Sequence, residues 1–186
     1  MIKTEVNIIA LTRSKSGDQN FILVLEDTVS KKNLPIVIGA SEAQYIGIVL
    51  ESIAVKRPLT HDLIFDILLA LQANPDHVII EEFKEGIFYA GIVLKNQEGK
   101  EIKIDSRPSD AIAIALRCQV PIYVMKDLFE QTGYSSSIYS EQSDRSSFKE
   151  YTLEDLEKLL AKVIAKEDYE SAIRIRETIK ARKNDG

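Results

Sequence analysis

The densest group of chemically reactive side chains lies in one six-residue stretch, Asp105-Ser106-Arg107-Pro108-Ser109-Asp110. This stretch follows a strand-like segment that ends at Ile104 and precedes an apolar helical pattern that begins near Pro108. Backbone N–H groups and the positive end of a helix at such a junction attract anions. The two carboxylates, the guanidinium and the two hydroxyls could therefore hold a divalent ion and a phosphate together. A structural alternative is that Ser106 or Arg107 caps the helix and that the dipole favours Asp110 in its first turn.

A second polar cluster is Arg57-Pro58-Leu59-Thr60-His61-Asp62. His61 could act as a general base or a metal ligand, and Arg57 could clamp a phosphate. The alternative is that Thr60 caps a helix, with His61 and Asp62 as solvated residues of its first turn.

Other signatures of catalysis are missing from the sequence. It contains no GxxxxGK loop, no GxSxG elbow and no HExxH, and its only histidines are His61 and His77. Cys118, the single cysteine, is interpreted as a small core residue. Glu42 and Glu51 are nine residues apart on one predicted helix and point to opposite faces, so they cannot line one small site.

The elements that must position these clusters alternate between strand and helix patterns. Strands are predicted at about 6–11, 21–25, 34–38, 78–83, 87–94, 101–104 and 122–124. Glu85-Gly86 lies where a hairpin turn would join two of them. A capping-box pattern at Ser41 starts a first helix, Thr60 caps a second, and Pro108 opens a third that is apolar nearly all round. The second helix should bury the face formed by Ile64, Ile67, Leu68 and Leu71. This order favours an α+β domain with three helices over a doubly wound sheet.

A serine-rich stretch divides the chain. Seven of the eighteen residues at 133–150 are serine, which is typical of a flexible linker. Residues 151–183 then show two short amphipathic helices that form an αα-hairpin, and Thr152 is placed to cap the first of them. Their apolar stripe, which includes Leu153, Leu156 and Leu160, is predicted to meet a protein partner or a second copy because the hairpin alone is marginal. The sequence thus predicts a domain at 1–132, a linker at 133–150 and a hairpin at 151–183.

Composition limits the classes of function. The formal charge of −5 argues against nucleic-acid binding by bulk electrostatics, so a nucleic-acid enzyme would need a local patch or a bound cation. No run of about 18 apolar residues could form a membrane span, and the N-terminus lacks the layout of a secretory signal. These features predict a soluble, cytoplasmic protein without membrane association.

Three blocks of sequence resemble the signature blocks of the bifunctional nuclease (BFN) family. They lie at residues 34–43, 57–63 and 105–112, and the resemblance extends over about residues 1–130. It implies a compact α+β domain that hydrolyses both DNA and RNA. The tail, with Glu167-Asp168-Tyr169-Glu170 followed by Ala172, resembles the UVR motif of the nucleotide-excision-repair proteins UvrB and UvrC, a short interaction hairpin.

The resemblance turns the polar clusters into a hypothesis about phosphodiester hydrolysis. Asp105 and Asp110 would hold one or two divalent ions, Mg or Mn, that activate water and neutralise the scissile phosphate. Arg107 and Arg57 would stabilise the charge of the transition state, and His61 would transfer protons. The further residues assigned to substrate or metal binding are Ser106, Ser109, Glu42 and Asp62.

A non-catalytic interpretation remains open beside the nuclease. In it the polar clusters are oligomer contacts or a small-anion site, and the hairpin recruits a repair or stress-response partner. The nuclease interpretation predicts DNA and RNA as substrates. It also predicts a homo-oligomer or a complex with a protein partner through residues 151–183.

Overall fold

A computed structural model of the chain describes residues 2–14, 20–96, 99–132 and 151–184. The elements are β1 (Lys3–Arg13), β2 (Phe21–Asp27), β3 (Asn33–Ile38), α1 (Ala40–Leu50), α2 (Thr60–Ala70), β4 (Asn74–Lys84), β5 (Ile87–Lys95), β6 (Glu101–Ser106), α3 (Pro108–Cys118), β7 (Ile122–Met125), α4 (Lys126–Thr132), α5 (Leu153–Ala165) and α6 (Tyr169–Asn184). The predicted linker at 133–150 lies outside the described residues.

Seven strands form one mixed sheet in the order β3-β2-β1-β7-β4-β5-β6. Neighbouring strands run antiparallel except β4 and β7, which pair in parallel. Two meanders, β1-β2-β3 and β4-β5-β6, therefore flank the four-residue strand β7. The turn predicted at Glu85-Gly86 is confirmed, and both residues have positive φ, which a tight hairpin turn requires.

One face of the sheet carries the main core. Side chains alternate along each strand, and the set that includes Val6, Leu25, Ile80 and Val124 is buried against α1, α3 and α4. Helix α3 is buried from Pro108 to Ala115 apart from Asp110, as its nearly continuous apolar sequence predicts.

The domain contains a fourth helix that the sequence analysis did not predict. Helix α4 follows β7 directly and buries Leu128 and Phe129 in the main core. Two apolar residues in a seven-residue segment give no helical period, and a helix this short depends on tertiary packing. The prediction of three helices before residue 132 was therefore wrong.

The helix starts differ from two of the predicted caps. Helix α1 begins at Ala40, with Gly39 at the N-cap, so Ser41 lies inside the helix. Helix α2 begins at Thr60, so Leu59 occupies the N-cap position that was predicted for Thr60. The Asp62 carboxylate accepts the N–H of Leu59 at 2.7 Å. Pro108 is confirmed in the first turn of α3.

The C-terminal helices pack against each other and against the domain. Thr152 caps α5 by accepting the N–H of Asp155, as predicted. A second cluster joins the two helices to Ile48 of α1 and to Ile53, and its C-terminal members are Leu156, Leu160, Tyr169, Ala172, Ile175 and Ile179. The chain itself thus covers most of the apolar stripe for which we predicted a separate partner; Leu153 remains exposed.

Helix α2 contradicts its predicted burial. Ile64, Ile67 and Leu71 are exposed and Leu68 is half-buried, because α2 meets α3 through the side that carries His61. No helix in the described ranges has the length and apolarity needed to cross a membrane.

Candidate active site

Two helix N-termini open onto one cavity. Helix α1 follows β3 with Gly39 at its N-cap, helix α3 follows β6 with Arg107 at its N-cap, and the two helices pack side by side. Between their first turns and the β4–β5 turn lies a shallow cavity of about 270 Å³. Its lining residues are Ile36, Val37, Ile38, Gly39, Glu42, Gly86, Ile87, Phe88, Arg107, Pro108 and Ser109. The positive ends of both helix dipoles favour an anion here.

Arg107 connects the two helices across this cavity. Its Nε donates to Asp110 Oδ2 at 2.7 Å and its Nη2 to Asp110 Oδ1 at 3.1 Å. Its Nη1 donates to Glu42 Oε1 at 2.9 Å. Asp110 and Glu42 raise the pKa of the guanidinium further above its usual range, yet the Arg107 side chain is 65% exposed. The arginine is thus permanently charged, held on two sides and open to solvent.

Gly39 makes room for the Glu42 carboxylate. A Cβ at position 39 would collide with the end of that side chain, which folds back over the first turn of α1. Glu42 therefore lies at the N-terminus of its own helix and contacts Arg107 at the start of the other.

His61 adds a buried partner for Asp110. Its Nε2 lies 3.4 Å from Asp110 Oδ1. Because a carboxylate only accepts hydrogen bonds, this nitrogen carries the proton. The imidazole is buried and packs on Tyr45 with ring centroids 5.2 Å apart, and Nδ1 has no hydrogen-bond partner. Burial acts to raise the pKa of Asp110, but the hydrogen bonds and charges of Arg107 and His61 outweigh it and lower this pKa.

Comparison with known proteins identifies the family. The family model described as "Bifunctional nuclease domain" matches residues 23–137, more than half of the chain and all of the cavity. The chain belongs to the bifunctional nuclease domain family. An uncharacterized protein of Mycobacterium tuberculosis is 35% identical over 159 residues, which cover 86% of this chain and 94% of that protein.

Plant proteins of this family are more distant. "Bifunctional nuclease 1" of Oryza sativa subsp. indica is 28% identical over 123 residues, 65% of this chain but 37% of the plant protein. "Bifunctional nuclease 2" of Arabidopsis thaliana is 28% identical over 102 residues, 54% of this chain and 31% of the plant protein. This chain thus spans about a third of the length of these plant relatives.

The structure of this BFN domain brings together part of the proposed residue set. Glu42, Arg107 and Ser109 line the cavity, and Asp110 and His61 contact that group through Arg107 and each other. Ser109 is buried at the start of α3.

Asp105 lies apart from them. It pairs in register with Gly91, whereas the next residue, Ser106, pairs with the buried Ala90. Since side chains alternate along a strand, Asp105 lies on the sheet face opposite the helices, away from Asp110. Ser106 faces the helix side, and its Oγ is buried without a hydrogen-bond partner. The expectation that Asp105, Arg107 and Asp110 line one concavity was therefore wrong.

Asp62 and Arg57 also lie outside the cavity lining. Asp62 accepts from Arg117 Nε at 2.6 Å as well as from the Leu59 N–H, so it anchors α2 to α3. Arg57 is exposed in the segment before α2. The sequence analysis did not identify Arg117, whose side chain is only 5% exposed. A basic residue in the last turn of an otherwise apolar helix is a signal for a buried ion pair.

The acidic residues do not fit a preformed divalent-ion site. The described part of the chain contains no group of three or more His, Cys, Asp or Glu side chains suited to a metal ion. Glu42 and Asp110, the nearest candidates, already share the charge of Arg107 between them. A cation at this place would have to displace the guanidinium.

Proposed function

We propose that this chain is a nuclease that hydrolyses phosphodiester bonds of DNA and RNA at the Arg107 cavity. One observation carries the proposal: an exposed, doubly anchored arginine lies where two helix N-termini meet, in a domain of the bifunctional nuclease family. Because Glu42 and Asp110 offset the charge of Arg107, the two helix N-termini supply the positive potential that an acidic chain needs to hold a polyanion.

The hydrogen bonds of Arg107 leave it able to bind a phosphate. A guanidinium has five N–H groups, and three of them reach Asp110 and Glu42. The remaining two can donate to the non-bridging oxygens of a phosphodiester while the carboxylates keep the side chain in place. Charge that develops on those oxygens in the transition state is then stabilised by donors that need not reorganise.

The proton of the attacking water passes to a carboxylate. Water forms a bond to phosphorus, Asp110 accepts its proton, and the bond between phosphorus and the leaving sugar oxygen breaks as that oxygen takes a proton from solvent. Arg107 and His61 lower the pKa of Asp110, so the carboxylate is ionised at neutral pH and able to accept a proton. His61 is a positioning residue, since its Nε2 contacts Asp110 and its Nδ1 is buried.

The test compares cleavage of labelled single-stranded DNA and RNA by identically purified variants. We expect Arg107→Ala to lower the cleavage rate by about 10²–10³-fold, the usual effect of removing one transition-state donor. Arg174→Ala removes an exposed arginine from α6 and should leave the rate unchanged. Asp105→Asn should also retain activity, because Asp105 lies on the opposite face of the sheet.

Two outcomes would contradict this assignment. Equal cleavage by wild type and Arg107→Ala would indicate a contaminating nuclease or another site. If Asp105→Asn loses cleavage and Arg107→Ala retains it, the site lies on the sheet face opposite the helices. Assays with and without EDTA decide whether Mg or Mn takes part. If a metal ion is required, Arg107 must release Glu42 or Asp110 to it.

A non-catalytic phosphate-binding module is the second candidate. The ion pairs of Arg107 with Asp110 and Glu42 favour this candidate, because the same network can hold a bound phosphate without catalysis. Fluorescence anisotropy of the same oligonucleotides separates the two: binding that depends on Arg107, without cleavage by any variant, supports the module and contradicts the nuclease.

A further inference from the structure

Helix α2 presents an apolar surface to solvent. Four residues form this surface, the α2 stripe: Leu63, Ile64, Ile67 and Leu71. They are 54%, 38%, 47% and 72% exposed, respectively. Another side of the helix, with His61 buried and Phe65 and Leu68 half-buried, packs on the domain. The stripe is thus a second apolar side for which the described residues offer no cover.

The spacing of the stripe is that of a helix that pairs with another helix. Ile64, Ile67 and Leu71 follow one another at three and four residues, which is the a/d spacing of coiled-coil contacts, and Leu63 lies beside them. Each residue turns by about 100° around the axis, so the four side chains form one continuous strip along little more than two turns. A straight aliphatic strip of this kind is complementary to a copy of itself.

The charges around the stripe are compatible with a second copy. Asp66 is about 100° away from Ile67 around the helix, and Asp62 is already paired with Arg117. No carboxylate therefore faces its equivalent across a two-fold axis. In an antiparallel pair, the positive end of each α2, with the exposed Arg57 just before it, lies near the negative end of the other.

The stripe supplies about two thirds of the area that the smallest stable dimer interfaces bury. The four residues together expose roughly 400 Å² of apolar surface, the size of the largest apolar patch on a typical monomer, and such patches are often functional. Two copies would bury about 800 Å² from these residues alone, against roughly 1,200 Å² for the smallest stable interfaces. Thr60 and the exposed residues 56–58 extend the surface beyond the stripe.

We propose that two copies of this chain form a two-fold symmetric dimer through the α2 stripe. A two-fold contact uses the same patch on both chains, so it closes after two copies. The interface lies on α2 and not on residues 151–183, whose apolar stripe is mostly covered within the chain. This inference does not depend on the nuclease activity.

The first test measures the mass of the full chain in solution. We expect wild type at micromolar concentration to have twice the chain mass of 20.9 kDa, and Ile67→Asp to have the mass of one chain with an unchanged circular dichroism spectrum. Leu69→Asp is the matched control: Leu69 is 55% exposed on the same helix but points nearly the opposite way from Ile67, and it should leave the dimer intact. A monomeric wild type, or a dimer that survives Ile67→Asp, overturns the proposal.

A second test uses crosslinking. In a Cys118→Ser background, which removes the natural thiol, Ile67→Cys should form an intermolecular disulfide under mild oxidation because it lies near the two-fold axis. Leu69→Cys should not. Equal crosslinking of the two variants, or none for Ile67→Cys, contradicts a two-fold contact through the stripe.

Discussion

Replacing Ile175 with alanine tests whether the C-terminal helices are part of the same folding unit as the sheet. Ile175 lies on α6, is 1% exposed and packs in the cluster that includes Ile48 of α1. The change removes three carbon atoms, worth about 2.5 kcal/mol at roughly 0.8 kcal/mol per buried methylene. The cavity left behind increases the loss, so we expect the free energy of unfolding to fall by about 3–5 kcal/mol.

The assay is urea unfolding followed by circular dichroism and by tyrosine fluorescence. If the cluster ties α5 and α6 to the domain, both signals should give one transition, and Ile175→Ala should shift all of it. Val29→Ala, at a position that is 79% exposed, should change the free energy by less than about 0.5 kcal/mol. Two separate transitions, with only the minor one shifted by Ile175→Ala, would refute the reasoning and make residues 151–183 an independent module.

Three further predictions concern other buried groups. Asp27 accepts hydrogen bonds from Ser30, Val29 and Thr4, which outweigh its burial and lower its pKa from 3.8 to about 2. The lowered pKa stabilises the fold by about 2 kcal/mol above pH 5, and this stabilisation is lost as the pH falls from 4 through 2. The difference in unfolding free energy between wild type and Asp27→Asn should therefore shrink over that range. Arg117→Met leaves Asp62 without its buried partner and should lower the free energy of unfolding by about 2–4 kcal/mol, measured by thermal unfolding. An unchanged melting temperature would contradict a structural role for this ion pair. Burial raises the pKa of Cys118, so iodoacetamide should label it more slowly at pH 7.5 in the folded than in the urea-unfolded chain.

The sequence predicted those elements whose local signals agree with their packing. Pro108 in a first turn, the Glu85-Gly86 turn and the Thr152 cap each have a local physical cause, and each is confirmed. The position of Asp105 could also have been predicted, because its neighbour Ser106 precedes a buried helix and alternate strand residues point to opposite faces.

The remaining differences depend on tertiary contacts. Helix α2 is apolar on two sides, so its sequence does not show which side meets the domain; the Asp62–Arg117 ion pair fixes that choice. The contact of Arg107 with Glu42 joins residues 65 positions apart and depends on α1 packing beside α3. Local spacing gives no information about such a distance.

The central place of β7 has a consequence for how the chain folds. Strands β1 and β4 do not pair with each other, and the sheet is joined only through three register pairs of β7 on each side. During synthesis both meanders can form from local contacts, but they stay unconnected until residues 122–125 leave the ribosome. Closing the sheet then requires contacts across more than a hundred residues, and such non-local pairing is slow. Until that step, strand edges are open on both halves, so newly made chains are most exposed to aggregation just before the domain is complete.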